Sequence, residues 1–500
     1  EFAFFPFSLA LAMLQIRTAS GEGLLSLNLA SFLEMLPSGM HPVRALKQHL
    51  QGMCGLSRFR QRLVFLHDGG GDDDAVFLDE DQSLRSGEVQ VVLLNFCPTS
   101  DTQVAALRDA ATHGLTSEVE NILQRPQDPD LTCFGHPPPL LEAAECGHLE
   151  VIRLLLEAKA DQDKAFDDDD GNTALQVAAQ SGQLEVVRLL LDSNADMDKA
   201  MHDGSTPLFA AAHDGQLDVV GLLLEAKADK DKAMHDGSTP LFIAAQEGHL
   251  EVVRLLLEAN ADKDKAINDG ATPFFIAAQE GHLEVASLLL EANAVTDKVL
   301  HDGTTPLFIA AQEGHLEVAR LLLKAKADMD QAVQDGATPL YIAAETGNLK
   351  VAHLLLEADA DKDKATQDGA TPLFIAAQTG QLDVARLLLE ANADMEKAII
   401  YDGTTPLFIA AQRGRLEVAS LLLKANADKD KVMHDGATPL FIAAQSGQLE
   451  VARLLLEANA DMNKATHDGS TPLLVATERG HLELARLLQE SNAQKRRRYR

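Results

Sequence analysis

Two groups of residues in this sequence could bind metal ions. Cys133, His136, Cys146 and His148 lie close enough along the chain to be drawn as a zinc site. His148, however, belongs to a Gly-His-Leu pattern that returns many times, so we predict no zinc there. Histidines also recur immediately before an Asp-Gly pair, at His202, His235, His301, His434 and His467.

These recurring histidines are too regular and too far apart for a shared metal site. On successive structural repeats they would stand about 10 Å apart, the usual distance between packed helices. They could instead make a binding surface sensitive to pH, and an affinity that is constant between about pH 5.5 and 7.5 would exclude this. We predict no metal and no cofactor.

The sequence contains no enzyme motif. Gly-x-Ser-x-Gly, a phosphate-binding loop, the kinase set and His-Glu-x-x-His are all absent, and the many Asp and Glu residues are explained by solvated surfaces. We therefore predict a protein without catalytic activity.

The amino-acid composition limits which partners and which cellular compartment we expect for this protein. The 500 residues carry a net charge of -33, with 76 acidic and 43 basic residues, which argues against nucleic acid as a partner of the main body. A basic partner fits better, although the acidity could serve solubility alone. The 4 cysteines form no disulfide framework, and no apolar run approaches the roughly 20 residues that span a membrane. We expect a cytoplasmic protein with no membrane contact.

The elements that position all these residues are copies of one stretch, Asp236 to Lys265. Its Asp-Gly-x-Thr-Pro turn returns almost every 33 residues. A fixed period of that length predicts a solenoid, in which each unit packs on its neighbours. The turns begin at Asp203, Asp236, Asp269, Asp302, Asp335, Asp368, Asp402, Asp435 and Asp468.

Each unit contains the signals of two helices. Thr239 stands at an N-cap position, Pro240 at the first helical position and Gly248 at the end of the first helix. The second helix runs from Leu250 to Ala259, with leucines and valines on one face. Asn260 closes it, because Asn accepts positive φ better than most residues. Asn, Lys or Asp recurs at this place, as Lys159, Asn194, Lys227, Asn293, Lys326, Asp359, Asn392, Asn426, Asn459 and Asn492.

Thr-Pro-Leu, Ala-Ala, Gly-His-Leu-Glu-Val-Val and Leu-Leu-Leu at these offsets resemble ankyrin repeats. The resemblance implies a mainly α fold, an ankyrin-repeat solenoid of helix-turn-helix units with β-hairpin fingers, and a role in binding other proteins. An aromatic residue replaces the usual His after Thr-Pro-Leu, and we predict that this row fills the core between repeats. It consists of Phe209, Phe242, Phe275, Phe308, Tyr341, Phe374, Phe408 and Phe441.

Residues 13–96 have a different pattern, in which short alternating strands surround one helix. We predict a hairpin from Leu14–Thr18 and Leu25–Leu29, a helix containing Val43, Leu46 and Leu50, and strands at 63–66 and 89–94. This order is that of a small α+β β-grasp.

Met13-Leu14-Gln15-Ile16, Gln61-Arg62-Leu63-Val64-Phe65 and Val91-Val92-Leu93 resemble ubiquitin-like domains. The resemblance implies an apolar recognition patch at Ala19, Val64 and Val92 that would dock ubiquitin-pathway receptors. The chain has no Gly-Gly after Leu94 and only Lys47 within the domain. We therefore expect a fixed module and not a conjugated modifier.

The remaining segments complete the domain plan. We expect residues 1–12 to be an unfolded apolar extension, 97–101 a linker, 102–134 a capping repeat, 135–494 the ankyrin-like repeats and 495–500 a basic tail. Two insertions interrupt the period, one at Asp167–Asp170 and one within Ile399-Ile400-Tyr401.

The predicted binding groove consists of finger tips and the exposed ends of first helices, which are free of packing duties. The tips are His202, His235, Asn268, His301, Gln334, Gln367, Tyr401, His434 and His467. The helix ends are Gln180, His213, Gln246, Gln279, Gln312, Glu345, Gln378, Gln412 and Gln445, with Arg413 beside them. Because most units are nearly identical, we expect recognition to depend on the odd units at Asp335 and Asp402.

These observations predict a monomeric, non-catalytic adaptor or scaffold that binds partner proteins along the groove, with the ubiquitin-like module as a second docking site. Two alternatives stay open. The chain could be a fragment or substrate-recognition subunit of a larger enzyme such as a ubiquitin ligase, or a structural or membrane-linked spacer. The C-terminal basic run could also direct it to the nucleus.

Overall fold

A computed structural model describes residues 13–20, 22–38, 40–66, 76–78, 84, 87–132, 135–166 and 171–498. The chain divides into two compact units, residues 1–235 and 236–500. The N-terminal extension 1–12, the acidic stretch after Leu66, Cys133 and the insertion Asp167–Asp170 lie outside the described residues.

The first unit opens with the strands β1 Met13–Thr18, β2 Gly23–Asn28, β3 Gln61–Leu66, β4 Val76–Leu78 and β5 Gly87–Leu93. They form a five-stranded mixed sheet of order β2-β1-β5-β3-β4. β1 pairs antiparallel with β2 and parallel with β5, while β3 lies antiparallel to both β5 and β4. This arrangement is compatible with the predicted ubiquitin-like fold. The helical elements of this region are α1 Leu29–Glu34, α2 Pro42–Cys54 and a 3-10 turn Arg58–Arg60.

Helix α2 covers one face of this sheet. Val43, Leu46 and Leu50 are the residues predicted for its apolar face, and each is at most 1% exposed. They pack with Leu14 and Ile16 of β1 into one core. The helix ends at Gly55, whose φ of 72° is the left-handed conformation that glycine adopts without strain.

Two features of this region differ from the sequence prediction. Leu29 was expected at the end of a strand but begins α1, because Asn28 caps the helix by accepting the Ser31 N–H on Oδ1 at 3.1 Å. Strand β4 was not predicted, since three residues are too few to show an alternating pattern.

The rest of the first unit consists of helix pairs. Successive first helices pack on one another, and each contacts its own second helix. Of the helices in the described residues, none has the length and apolar character needed to cross a membrane. The pairs are α3 Asp101–Thr112 with α4 Thr116–Leu123, α5 Pro139–Glu145 with α6 Leu149–Glu157, α7 Ala174–Gln180 with α8 Leu184–Asp192, and α9 Pro207–His213 with α10 Leu217–Glu225.

The second unit repeats the same pair eight times within its described residues. The first helices are α11 Pro240–Gln246, α13 Pro273–Glu280, α15 Pro306–Glu313, α17 Pro339–Thr346, α19 Pro372–Thr379, α21 Pro406–Arg413, α23 Pro439–Gln445 and α25 Pro472–Glu478. The second helices are α12 Leu250–Glu258, α14 Leu283–Glu291, α16 Leu316–Lys324, α18 Leu349–Glu357, α20 Leu382–Glu390, α22 Leu416–Lys424, α24 Leu449–Glu457 and α26 Leu482–Arg498. Together with the first unit this is the predicted mainly helical, ankyrin-type solenoid class.

Local signals explain why each pair forms where it does. Thr239 accepts the Phe242 N–H on Oγ1 at 3.2 Å, and Pro240 occupies the first helical turn. Such a cap contributes about 1 kcal/mol. Gly248 then reverses the chain with a φ of 75°. The predicted cap, proline and glycine positions are confirmed.

The residues predicted to close the second helices lie two positions after the last helical residue, and all but one of them have the predicted left-handed conformation. Asn260 has a φ of 59°, and Lys227 and Asp359 reach 73° and 67° in the same position. Asn492 was expected to end the last helix, but α26 continues through it to Arg498. The chain therefore makes no turn at Asn492, and the start of the basic segment is helical.

The aromatic row fills the core of both units, as predicted. Its seven phenylalanines are 2–8% exposed, and the neighbouring Ala-Ala pairs are fully buried at 0%. Small alanines let adjacent helices approach closely while each ring fills the remaining volume. Tyr341 is the half-buried member of the row.

Candidate protein-binding surface

Backbone hydrogen bonds join successive fingers at their tips. From His235 onward, the residue before the Asp-Gly turn donates its N–H to the Asp carbonyl of the preceding finger, except in the inserted finger, where Ile400, two residues before Asp402, does so. In the first unit His235 N lies 2.9 Å from Asp203 O. In the second unit the bonds are Asn268–Asp236 at 2.8 Å, His301–Asp269 at 3.3 Å, Gln334–Asp302 at 2.9 Å, Gln367–Asp335 at 2.8 Å, Ile400–Asp368 at 2.7 Å, His434–Asp402 at 2.8 Å and His467–Asp435 at 2.8 Å.

We call this series of backbone bonds the finger ladder. The side chains of the tip residues take no part in it. All nine predicted tip residues, His202, His235, Asn268, His301, Gln334, Gln367, Tyr401, His434 and His467, are exposed. Some reach back one finger, as Gln334 Nε2 does by donating to His301 O at 2.7 Å. Amides and imidazoles in such a row can donate and accept hydrogen bonds to a partner's backbone or side chains.

Most of the predicted helix-end residues are less exposed than the tips. Gln180, His213 and Arg413 are exposed, whereas Gln246, Gln279, Gln312, Glu345, Gln378, Gln412 and Gln445 are half-buried. Their carbonyls are used within the repeats, because the residue after each helix-ending Gly reaches back to them. His282 Nε2 lies 2.9 Å from Gln246 O, and His315 Nε2 lies 2.9 Å from Gln279 O.

We call this contact, from the side chain after the helix-ending Gly to a carbonyl of the preceding repeat, the clamp. His148, which lies in a Gly-His turn, makes the same contact. Its Nε2 lies 3.0 Å from Thr112 O in the preceding repeat. Within the described residues, no three His, Cys, Asp or Glu side chains are grouped to hold a metal ion. Nearby Cys146 is exposed, and partial desolvation followed by the charges of Glu145 and Glu142 raises the pKa of its thiol.

The inserted finger changes the register that the sequence suggested. Ile400 donates to Asp368 O and so takes the ladder position, although Tyr401 was predicted as the tip residue. Tyr401 is the extra residue and is 77% exposed, while Ile400 is 64% exposed. Ile399 N bonds to Thr404 O at 3.0 Å, one residue further than in the other fingers, which confirms the insertion.

The odd units contribute two kinds of residue. Arg415 and Asn348 occupy the clamp position, with Arg415 Nε donating to Gln378 O at 3.1 Å and Asn348 Nδ2 donating to Gln312 O at 2.8 Å. Tyr341 is half-buried, and burial, then the charge of Glu345, raises the pKa of its hydroxyl above the ordinary 10.0. Tyr401 and Arg413 are exposed, and neither occupies the clamp position.

The three residues of the predicted ubiquitin-like patch differ in accessibility. Ala19 is exposed and Val92 is half-buried. Val64 faces away from the domain core, as predicted, yet it is 6% exposed. The three residues together therefore expose less apolar surface than the predicted open patch would.

The same domain is attached to the first helix pairs by charged residues. Arg58 is fully buried, donates from Nη2 to Glu120 Oε1 at 2.7 Å and places Nε 2.9 Å from Glu157 Oε1. Gln48 also donates to Glu157, at 2.7 Å, and Arg44 lies 3.1 Å from Glu120. The segment predicted as a linker takes part as well, since Cys97 N donates to Pro126 O at 2.7 Å.

Sequence reasoning missed Arg58 and the acidic loops after the second helices. Arg58 gives no periodic signal, because its partners lie in another fold. The acidic loops do carry a signal, the recurring Ala-Asp-x-Asp-Lys, whose departures at Val295 and Gln331 could have been read directly.

Comparison with known proteins agrees with the helix-pair geometry and the finger ladder. The family model described as ankyrin repeats (3 copies) matches seven overlapping stretches that together run from residue 107 to residue 499. No curated protein matches the chain. Since the matched stretches cover most of its length, the chain belongs to the ankyrin-repeat family.

Proposed function

We propose that this chain is a non-catalytic adaptor that binds partner proteins through its finger tips and the adjoining helix ends. Ankyrin repeats are protein–protein interaction modules, and the family is generally non-catalytic. The observation that carries the proposal is the finger ladder, in which backbone atoms make the contact between repeats and a row of polar side chains stays exposed.

The inserted finger gives this row a place where one partner could be distinguished from another. Tyr401 and Ile400 form an apolar tip among polar ones, and Arg413 adds an exposed positive charge at the end of the first helix of the same repeat. Exposed Tyr and Arg are the residue types that most often dominate binding energy at protein interfaces. We propose that specific recognition centres on this repeat.

Affinity capture with the full chain tests the proposal. Tyr401→Ser combined with Arg413→Ser should lose partners that the unsubstituted chain captures, because both residues are exposed and neither supports the ladder or the clamp. The matched control is Arg254→Ser, which removes an exposed charge from a second helix. If the double variant captures the same partners as the control, the surface is not the binding site, and a spacer role becomes the better account.

We further propose that the N-terminal domain supplies a second docking site for ubiquitin-pathway receptors. The strand order and the exposure of Ala19 support this, while the burial of Val64 narrows the surface that such a receptor could use. Ala19→Asp in the full chain should reduce capture of those receptors without altering capture by the finger tips. Unchanged capture would leave the domain as an N-terminal cap of the repeats.

A further inference from the structure

The loop after most second helices forms a small hydrogen-bonded turn built on the sequence Asp-x-Asp-Lys or a close variant of it. The first Asp accepts the N–H of the second on its carboxylate, as in Asp264 N to Asp262 Oδ1 at 3.1 Å. A backbone bond from Lys265 N to Asp262 O at 3.4 Å closes the turn. An Asp side chain that binds the backbone two residues later is a common way to fix such a turn.

These turns are connected from repeat to repeat. The second Asp of one loop accepts the first N–H of the next, as in Asp361 N to Asp330 Oδ1 at 3.0 Å. The next loop's lysine then donates to the carbonyl of that same Asp, as in Lys364 Nζ to Asp330 O at 2.7 Å. The same lysine contact recurs as Lys232–Asp198 at 2.6 Å, Lys298–Asp264 at 3.0 Å, Lys397–Asp363 at 2.6 Å and Lys464–Asp430 at 2.8 Å.

Two substitutions break this chain of turns at one place. Val295 stands where the first Asp belongs, so it has no carboxylate to fix the turn, and no bond from Lys298 N to Val295 O is present in this described loop. Gln331 stands where the next lysine belongs. Among the contacts of the described residues, nothing donates to the carbonyl or the carboxylate of Asp297.

A cleft of about 670 Å³ lies between the loops at 293–299 and 325–331. We call it the 295–331 cleft. Val295 and Val299 line it and are 42% and 39% exposed. Asp297, Asp328 and Lys326 also line it, which gives the lining charges an acidic balance. A single exposed valine is ordinary on a protein surface. Here two exposed valines lie in the same cleft as Asp297, whose carbonyl and carboxylate have no donor among the described residues, so the site has an apolar part and an anionic part.

We propose that the 295–331 cleft binds a lysine side chain of a partner protein, with an aliphatic residue beside that lysine packing on Val295 and Val299. The chain itself shows the geometry five times, because its own lysines place an ammonium on the equivalent carbonyl in other repeats. At Asp297 the acceptor is present and the ammonium is missing. A net charge of -33 on the whole chain favours a partner segment that is locally basic.

This site is separate from the proposed finger-tip surface, since none of the predicted tip or helix-end residues lines the cleft. The proposal for the cleft and the proposal for the finger tips can therefore be tested independently. Binding at the cleft should be unaffected by Tyr401→Ser.

Methyl NMR of the full chain, labelled at valine, tests the proposal with two peptides. The probe is acetyl-Leu-Lys-Leu-amide, and the matched control is acetyl-Leu-Gln-Leu-amide, which has the same aliphatic groups without the ammonium. The lysine peptide should shift the Val295 and Val299 methyl signals saturably, with an affinity at least about tenfold above that of the glutamine peptide. Equal shifts from both peptides, or no shift from either, would overturn the proposal.

Gln331→Lys supplies the decisive variant. It restores the residue found in neighbouring repeats, so the fold should be kept, and its own ammonium should occupy Asp297 O. The lysine peptide should then bind at least about tenfold more weakly than to the unsubstituted chain. Undiminished binding to Gln331→Lys would show that the peptide does not use the vacant acceptor.

Discussion

The guanidinium of Arg58 is fully buried and donates to Glu120 Oε1 at 2.7 Å, joining the N-terminal sheet domain to the first helix pair. Glu157, in the next pair, lies 2.9 Å from the same guanidinium. One arginine thus contacts two consecutive repeats. The N-terminal domain is consequently a part of the first unit and not a module on a free tether.

Arg58→Ala should destabilise the first unit by about 3 kcal/mol, because removing one partner of a buried ion pair leaves the other charges uncompensated. The remaining contacts of Glu120 with Arg44 and of Glu157 with Gln48 limit the loss. Urea unfolding followed by circular dichroism measures it. The matched control is Arg254→Ala, which removes the exposed pair with Glu251 and should cost less than about 1 kcal/mol. Equal effects would mean that the buried contact is not a determinant of stability.

The pH dependence of stability should carry a contribution from Asp130. Burial raises the pKa of its carboxyl from 3.8 to about 6, although its oxygens accept the Asp161 N–H at 3.0 Å. Because the pKa of Asp130 is higher in the folded state than in the unfolded state, protonation of its carboxyl stabilises the fold. This stabilisation is complete below pH 3.8 and is lost as the pH rises through about 6.

Asp130→Asn removes this dependence while its Oδ1 can still accept the Asp161 N–H. The variant should therefore be more stable than the unsubstituted chain at neutral pH and should lose that advantage toward the acid end of the window. Urea midpoints of both proteins across this range test the sign. An advantage that grows as the pH falls would contradict it.

Alanine substitutions at Gly336 and Gly303 can separate the cost of backbone strain from the cost of steric crowding between fingers. Their φ values are 91° and 89°, so alanine at either should cost about 1 kcal/mol from the left-handed conformation alone. At Gly336 a Cβ would meet Thr366 Cα at 2.9 Å, whereas at Gly303 the nearest atom is Val333 Cα at 3.3 Å. Gly336→Ala should therefore be the worse variant, by about 1 kcal/mol or more for the forced separation of two fingers. Thermal unfolding compares them, and equal losses would show that the fingers yield freely.

Replacing Lys227 should stabilise the folded protein. Its φ of 73° is unfavourable for a residue with a Cβ, and other repeats place Asn there. Lys227→Gly should raise the free energy of unfolding by about 0.5–1 kcal/mol, since glycine has no steric cost in this conformation. Lys227→Asn should give a smaller gain. A loss on Lys227→Gly would mean that the greater entropy of the unfolded chain outweighs the relieved strain.

The repeats could be predicted from the sequence because their signals are local and recur. Thr239, Pro240 and Gly248 each fix a helix boundary within a few residues, and the period then fixes the neighbours. The contacts of Arg58 could not be predicted in this way, since they join residues 62 positions apart in two different folds. The position of Ile400 was also missed, because an inserted residue shifts the ladder without changing the pattern around it.

The finger ladder has a consequence for how this protein can change over time. Since main-chain atoms make the bonds between fingers, a mutation that alters a tip side chain leaves those bonds in place. Each tip can therefore drift through many residue types at little cost in stability, and a duplicated repeat adds one more variable position. For the proposed binding surface, this means that single substitutions can change the side chains offered to a partner while the backbone bonds between fingers stay in place.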